Sequence, residues 1–351
     1  MTRNRGRIWF LTECVPAAAF FCLFSGGALS AGSGAGTTAA NFLKIPVAVI
    51  PAALGESYTA MVGPDSILYN PAGLGLLGYS SFSGSHNQYL DEITQEYAVL
   101  TYRSKFGTIG AGFSMLSSGQ FTAYDKDDMI IGKTSTSHRF WTLSYAQSWP
   151  HFNRDIGKLD PMLITPSWTR VTPVPDYRPK NFRVALGGSV KRVSEKLDKM
   201  TAGAYTMDAG AMLILPGHFH LGVSALNLGG RQKFFAETYK LPGVLRAGAA
   251  KDFHSINDII IVTAASDVIK YSDAPAFNTV GLETDVLRMF QLRVGYTSHR
   301  DIGSRISGGF GMNFDRFTDK AGFIHGLRVD YAYLDYGDLG PTQRIGMQLI
   351  W

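Results

Sequence analysis

The chain has 351 residues, of which 45% are hydrophobic and 17% charged, with 39 glycines and a formal net charge of +5. Low charge and abundant glycine indicate a β-rich chain with close backbone approaches, and the length accommodates either two soluble domains or one plugged barrel. So mild a positive balance gives no argument for a nucleic-acid surface.

Residues 1–30 read as a secretory signal peptide. Arg3, Arg5 and Arg7 form a basic start, Val15 to Leu23 an apolar core, and Ala28-Leu29-Ser30 a small-x-small cleavage site. The apolar run is shorter than the roughly 20 residues of a spanning helix. Both cysteines, Cys14 and Cys22, lie within it, so the mature chain is expected to carry neither thiol nor disulfide. No later stretch resembles a spanning helix, so an exported chain that enters a membrane does so as strands. The expected location is the outer membrane of a Gram-negative-type (diderm) bacterium.

Residues 31–77 are assigned to a linker and a hatch. Gly32 to Gly36 is a small-residue linker. Thr37 to Pro46 and Ala52 to Ala60 are too short and interrupted for strands, and the second suits a helical turn or two. Asn70-Pro71-Ala72-Gly73 predicts a turn, because proline fixes φ and pushes the asparagine before it out of the helical region. Apolar residues such as Phe42, Leu54 and Leu68 would be stranded outside a core. The expectation is therefore that Thr37 to Leu77 folds inside a barrel, with Phe42 near inward positions such as Gly295.

Residues 78–351 are assigned to the barrel. Segments of the length of tilted spanning strands fall near 79–89, 95–104, 107–117, 137–148, 181–193, 202–215, 218–227, 243–253, 258–269, 276–286, 289–299, 303–315, 323–335 and 341–351. Period-two alternation is clearest late in the chain: Phe290, Leu292, Val294 and Tyr296 oppose Gln291, Arg293 and Thr297. Inner turns at 105–106, 216–217, 254–257, 287–288 and 316–322 are short, whereas the outer loops 118–136 and 228–242 are long. This is the asymmetry of an outer-membrane barrel of about fourteen antiparallel strands. Trp149 to Lys180 breaks the rule, and reads either as extra strands or as a periplasmic excursion. The final segment runs Ile345, Met347, Leu349, Trp351 on one parity. The aromatic Trp351 is expected to act as an assembly signal for the closing strand.

Gly36-Thr37-Thr38-Ala39-Ala40-Asn41-Phe42-Leu43-Lys44-Ile45, Ala53-Leu54-Gly55, Tyr58-Thr59-Ala60 and Asn70-Pro71-Ala72-Gly73-Leu74 resemble the PorV/PorQ and UPF0164 branch of the FadL-type outer-membrane proteins. Val329-Asp330-Tyr331-Ala332-Tyr333, Asp338-Leu339-Gly340 and Arg344-Ile345 are similar to that branch as well. Together these cover roughly a fifth of the chain. Glu56 departs from the pattern, standing where a small residue is usual. The resemblance implies a fourteen-stranded barrel with an N-terminal hatch in the lumen. It leaves two functions open. FadL-type proteins take up hydrophobic compounds, whereas PorV-type members are components of a protein secretion system.

No nucleophile–base–orienter set is legible, so no enzyme activity, cofactor or metal is expected. His218 and His220 share a face, but no carboxylate or cysteine cluster stands near them in sequence, and ordinary lumen histidines are the expectation. Asp125, Asp127 and Asp128 lack the glycine and distal glutamate of a calcium loop and read as a solvated loop. On the polar parity, Arg246, Arg293, Arg328, Asp208, Glu283, Asp285 and Asp330 should point inward, since an arginine facing lipid costs roughly 2–4 kcal/mol. Salt-bridged ladders explain most of them. A ligand reading assigns Arg246, Arg293 and Arg328, near the middle of their strands, to the headgroup of a fatty acid. Its tail would lie on Leu54, Met61 and Leu68 of the hatch. Expected partners are therefore a hydrophobic small molecule such as a fatty acid, outer-membrane lipid and the barrel assembly machinery, with secretion-system proteins under the second reading and no nucleic acid under either.

Overall fold

The computed structural model describes residues 37–90, 92–150, 182–198, 200–234, 237–255, 259–299, 303–314 and 324–351. The expected signal peptide, the Gly32 to Gly36 linker and nearly all of the Trp149 to Lys180 segment lie outside them. Fourteen described strands form the wall: β1 (Ser81–Gln88), β2 (Thr94–Ser104), β3 (Gly107–Ser117), β4 (Thr136–Trp149), β5 (Arg183–Leu197), β6 (Met200–Leu215) and β7 (Phe219–Leu228). The second half is β8 (Val244–His254), β9 (Ile260–Tyr271), β10 (Ala276–Val286), β11 (Phe290–Thr297), β12 (Ile306–Asn313), β13 (Gly326–Asp335) and β14 (Pro341–Ile350). Each pairs antiparallel with its neighbours in sequence, and β1 closes on β14 from Ser81 opposite Ile350 to Gln88 opposite Gln343. Closure removes the free edge that no strand can carry into hydrocarbon. Beyond the strand ends, Ser80 and Trp351 exchange both backbone hydrogen bonds at 3.0 and 3.2 Å.

The wall differs from expectation in height rather than in order. β4, β5 and β6 run to 14, 15 and 16 residues, and β5 continues past residue 193 to Leu197. The two long outer loops carry structure of their own. Each carries a two-stranded hairpin, Phe121–Tyr124 with Ile130–Thr134 and Arg231–Phe234 with Glu237–Lys240.

Period two settles which face is which. Along β11, Phe290, Leu292, Val294 and Tyr296 are exposed, and Gln291, Arg293 and Thr297 are buried. Along β14, Ile345 and Met347 are exposed, and Thr342, Arg344 and Gln348 are buried. An apolar outer belt over a polar interior is the surface of a membrane-spanning barrel, and no described helix is long and apolar enough to cross a bilayer. Strands and belt together place the chain in the outer membrane of a diderm bacterium.

Residues 37–80 line the inward face of this wall. They contain a 3-10 turn at Asn41–Lys44, a short α-helix at Val49–Ala53, another at Ser66–Tyr69 and a 3-10 segment at Pro71–Leu76. The Val49–Ala53 helix starts earlier than the sequence suggested, because Pro51 falls in its first turn, where no intrahelical N–H is needed. Gly55 and Glu56, at φ 62° and 69°, then turn the chain left-handed.

Wall glycines make this packing possible. A Cβ on Gly295 would lie 2.0 Å from the Gly55 nitrogen and 2.2 Å from the Leu54 carbonyl carbon. On Gly222 it would lie 2.2 Å from the Thr59 oxygen, and on Gly187 2.4 Å from the Pro71 carbonyl carbon. These clashes are with backbone, which cannot swing aside. Gly295 meets Leu54 and Gly55 rather than Phe42, which instead stacks on His138 at 5.3 Å. The expected Phe42–Gly295 proximity is thus corrected, because the segment crosses the lumen between the two.

Gly295→Val should detach the N-terminal segment while the barrel still closes. Ser57, fully buried and donating to Thr279 at 2.8 Å, supplies the probe. Ser57→Cys should resist thiol reagents in the otherwise wild-type folded protein and react in the Gly295→Val background, as read by mass-shift labelling.

Candidate functional site

Two buried polar assemblies lie toward opposite ends of the barrel, and one of them ties the N-terminal segment to the wall. Toward the end that carries the long hairpins, Asp267 of β9 faces inward and is 1% exposed. One carboxylate oxygen accepts from the Tyr58 and Thr59 backbone N–H groups at 3.0 and 2.9 Å and from the Thr59 hydroxyl at 2.6 Å. Arg246 of β8 completes the assembly. Its Nε donates to Thr59 Oγ1 at 3.0 Å, one terminal nitrogen bridges to Asp267 at 3.2 Å and to the Glu56 carbonyl, and its guanidinium lies 5.0 Å over the Tyr69 ring. That contact gives Glu56 a role at its left-handed position: Arg246 holds its carbonyl where glycine would otherwise be favoured.

Asn70 supplies the second anchor. Its backbone is extended at φ −158°, as the following Pro71 demands. Its side-chain nitrogen donates to Thr59 O at 2.8 Å and to Ala211 O of β6 at 3.1 Å, and its Oδ1 accepts from Ala72 N at 3.2 Å. Pro71 packs against Gly187 and Gly210, and a Cβ on Gly73 would lie 2.4 Å from Ser66 Oγ. The turn residues therefore serve to dock the segment. Tyr69 O and Ala53 O find Ser224 Oγ and Ser307 Oγ at 2.7 and 3.2 Å, and Pro46 O finds the buried Arg344 at 3.2 Å.

Arg293 and Arg328 belong to the other end, near the short turns. Arg293 bridges Glu283 at 2.5 Å and Asp330 at 2.8 Å, and Arg328 contacts Asp330 at 3.0 Å. Two cations and two carboxylates thus neutralise one another in a buried quartet. The sequence grouped the three arginines as mid-strand residues. Strand direction separates them, since Arg246 is the third residue of inward-running β8, Arg328 the third of outward-running β13, and Arg293, at mid-strand on outward-running β11, pairs with Glu283 toward the inner end of β10.

The apolar residues divide in the same way. Leu54 is fully buried against Gly281 and Gly295. Met61 packs among Leu54, Tyr58 and Tyr69 and beside Ala250 and Ala265. Leu68 alone of the three lines a cleft, shared with Leu43, Ile45, Val47, Leu226, Val244 and Tyr271, and with Arg246 and Lys191 at its polar side. Lys191 was not singled out from sequence. It bridges Asp208 at 3.1 Å and donates to Asn227 at 2.9 Å. The cleft lies between the N-terminal segment and the wall, where β7, β8 and β9 reach the outer loops. Its volume is about 50 Å3, room for one or two waters at about 30 Å3 each.

Above the cleft, the start of the described chain is tied to the outer mouth. Ala39 N donates to Lys240 O at 3.0 Å. Asp273, in the turn after β9, accepts from Lys44 Nζ and Thr38 Oγ1, both at 2.6 Å. Burial pushes the Asp273 carboxyl up, but the bonds from Lys44 and Thr38 outweigh it and hold the group below the ordinary aspartate range. In the outer hairpin, Asp125 Oδ1 accepts from Asp127 N and Met129 N at 2.8 and 2.9 Å, which makes it a turn-forming residue.

No protein-family model and no curated protein sequence matches the chain. Among solved structures, the fold is similar to that of the P. putida toluene transporter TodX, at 9% identity over 88% of this chain and 97% of that one, with a TM-score of 0.51. The fold is TodX-like. The Ralstonia pickettii toluene transporter TbuX aligns at 10% identity over 86% of this chain and 96% of that one, with a TM-score of 0.48. A Pseudomonas aeruginosa FadL homologue aligns at 10% identity over 87% and 97%, with a TM-score of 0.45.

Asp267→Ala should destabilise the protein by about 3–5 kcal/mol, since it leaves Arg246 a buried unpaired charge. The double variant with Arg246→Met should recover part of that loss in a denaturant-unfolding cycle. A depressed carboxyl contributes stability at neutral pH that is lost as pH falls through its folded-state pKa. A spin label at exposed Asn41 should therefore be immobile at pH 7, become mobile on acidification below the ordinary aspartate range, and be mobile already at pH 7 in Asp273→Asn.

Proposed function

We propose that the barrel takes up hydrophobic compounds across the outer membrane, with residues 31–77 acting as linker and hatch and the cleft under Leu43 to Val47 as the entry site. The observation that carries this reading is the composition and place of the cleft. Leu43, Ile45, Val47, Leu68, Leu226 and Val244 line it beside Arg246 and Lys191, and it lies between the N-terminal segment and the wall near the long outer loops. The toluene transporter TodX supplies a chemical precedent for such cargo in a barrel of this fold. Only about 50 Å3 is present, so a ligand enters by displacing the Leu43–Val47 strip. Each buried methylene then contributes roughly 0.8 kcal/mol.

Within this reading a fatty acid is the cargo favoured by the two cations at the polar side of the cleft. Arg246 is the headgroup candidate, since a guanidinium holds a carboxylate in a bidentate pair. Arg293 and Arg328 lie in the quartet near the inner end and are assigned to lumen structure. Leu68 is the apolar contact, and Leu54 and Met61 support the hatch. Membership in the PorV/PorQ and UPF0164 branch, and with it a secretion role, would leave the cleft unused. Trp351 is assigned to assembly, because its two backbone bonds to Ser80 extend the seam.

Binding of toluene, palmitic acid and palmityl alcohol to the purified folded barrel tests the proposal. Wild type should bind at least one of them, and Ile45→Trp, which fills the cleft, should weaken binding about tenfold or more with heat-modifiable migration retained. A preference for acid over alcohol that Arg246→Gln narrows supports the fatty-acid assignment. Failure of wild type to bind any of the three would sink the uptake reading and move the secretion role ahead.

A further inference from the structure

Three side chains far from the cleft converge on the inner rim of the barrel. His218 belongs to the tight turn between β6 and β7, and Asp252 and His254 lie at the end of β8. One ligand-capable atom from each lies within 4.8 Å of the others, and all three residues are half-buried. The two imidazoles stand 4.5 Å apart between centroids, tilted by 39°. Local bonds set this arrangement. Asp252 N–H donates to His218 O at 3.1 Å, and Thr263 Oγ1 donates to one Asp252 oxygen at 2.7 Å. His218 itself sits at φ 60°, after Gly217 at φ 84°. Left-handed backbone is uncommon for residues other than glycine, with asparagine, aspartate and histidine the most frequent exceptions, and here it places an imidazole beside the end of β8.

We propose that His218, Asp252 and His254 form a binding site for a divalent transition-metal ion of the Zn2+ class. Sequence spacing hides the set, because His218's near neighbour in the chain is His220, whereas its partners come from a strand more than thirty residues on. Two imidazole nitrogens and one carboxylate oxygen are borderline donors that suit zinc or its neighbours, and hard ions such as calcium and magnesium take all-oxygen sites. Tetrahedral zinc with bonds near 2.0–2.1 Å places its ligand atoms about 3.4 Å apart, so the trio closes by side-chain rotations of about 1 Å. The fourth position then belongs to water. A bound ion cross-links the β6–β7 turn to the end of β8 at the rim. This site is independent of the uptake reading, since it lies at the opposite end of the lumen from the cleft.

The test is calorimetric titration of the tag-free mature barrel in detergent with Zn2+, alongside the visible spectrum of the Co2+ form. Wild type should bind one equivalent saturably and show the ligand-field bands of a four- or five-coordinate cobalt with nitrogen donors. His254→Ala, Asp252→Asn and His218→Asn, the last keeping a residue that tolerates the left-handed turn, should each weaken binding about tenfold or more. His220→Ala should bind as wild type does. Heat-modifiable migration establishes that each variant is folded. No saturable zinc binding to wild type, or unchanged affinity in His254→Ala, would overturn the site. Where a variant does not fold, the wild-type cobalt spectrum decides, and that of the hydrated ion counts against it.

Discussion

Backbone meets backbone inside this barrel, and the rest of the structure depends on that approach. Leu54 and Gly55 lie on Gly281 and Gly295, Thr59 on Gly222, and Pro71 on Gly187 and Gly210. A side chain at any of these wall positions would hold the N-terminal segment off by a methyl group or more. The segment would then lose both its packing and the short hydrogen bonds that Asp267, Ser224 and Ser307 make to its main chain. A closed wall of fourteen strands leaves a lumen that must be filled or wetted. Glycine on the inward parity is how this chain fills it with a peptide segment rather than with side chains alone.

Desolvation governs the second layer. Charges carried into the lumen are unfavourable unless they are paired, and four of the lumen cations meet carboxylates. Arg246 meets Asp267, Lys191 meets Asp208, and Arg293 and Arg328 meet Glu283 and Asp330. Placement gives the pairs different consequences. The inner quartet joins wall strands to one another. The Arg246–Asp267 pair instead joins the wall to Tyr58, Thr59 and Glu56, so anything that recruits Arg246 away from Asp267 also loosens the N-terminal segment. Ligand recognition and movement of the segment are coupled through that one guanidinium if a carboxylate enters the cleft.

The contacts over the cleft are of a different kind from those beneath it. Below, several buried bonds and backbone contacts converge on Leu54 to Gly73. Above, the strip from Thr38 to Val47 is held by Asp273, Lys240 and Arg344 at its ends, with apolar packing between. Local opening follows the region with fewer buried polar ties, so under the proposed uptake role this strip is the door and the Asp267 region the fixed floor.

Much of this was readable in the residues themselves. Period two assigned Phe290, Leu292 and Val294 to lipid and Arg293 to the lumen, because a strand has only two faces and only one tolerates charge. Short and long connections gave strand direction, and Pro71 dictated the extended backbone of Asn70. What one strand's pattern does not contain is who meets whom across the lumen. Closure and stagger brought Thr59 to Asp267, Phe42 to His138 rather than Gly295, and His218 to His254 rather than His220. Depth was hidden for the same reason: Arg246 and Arg293 share a parity, but their strands run in opposite directions, so one lies by the outer cleft and the other by the inner turns. Periodicity is a local property that the chain carries in its order of residues, whereas a contact across the lumen is a distance in space, which only the closed wall defines.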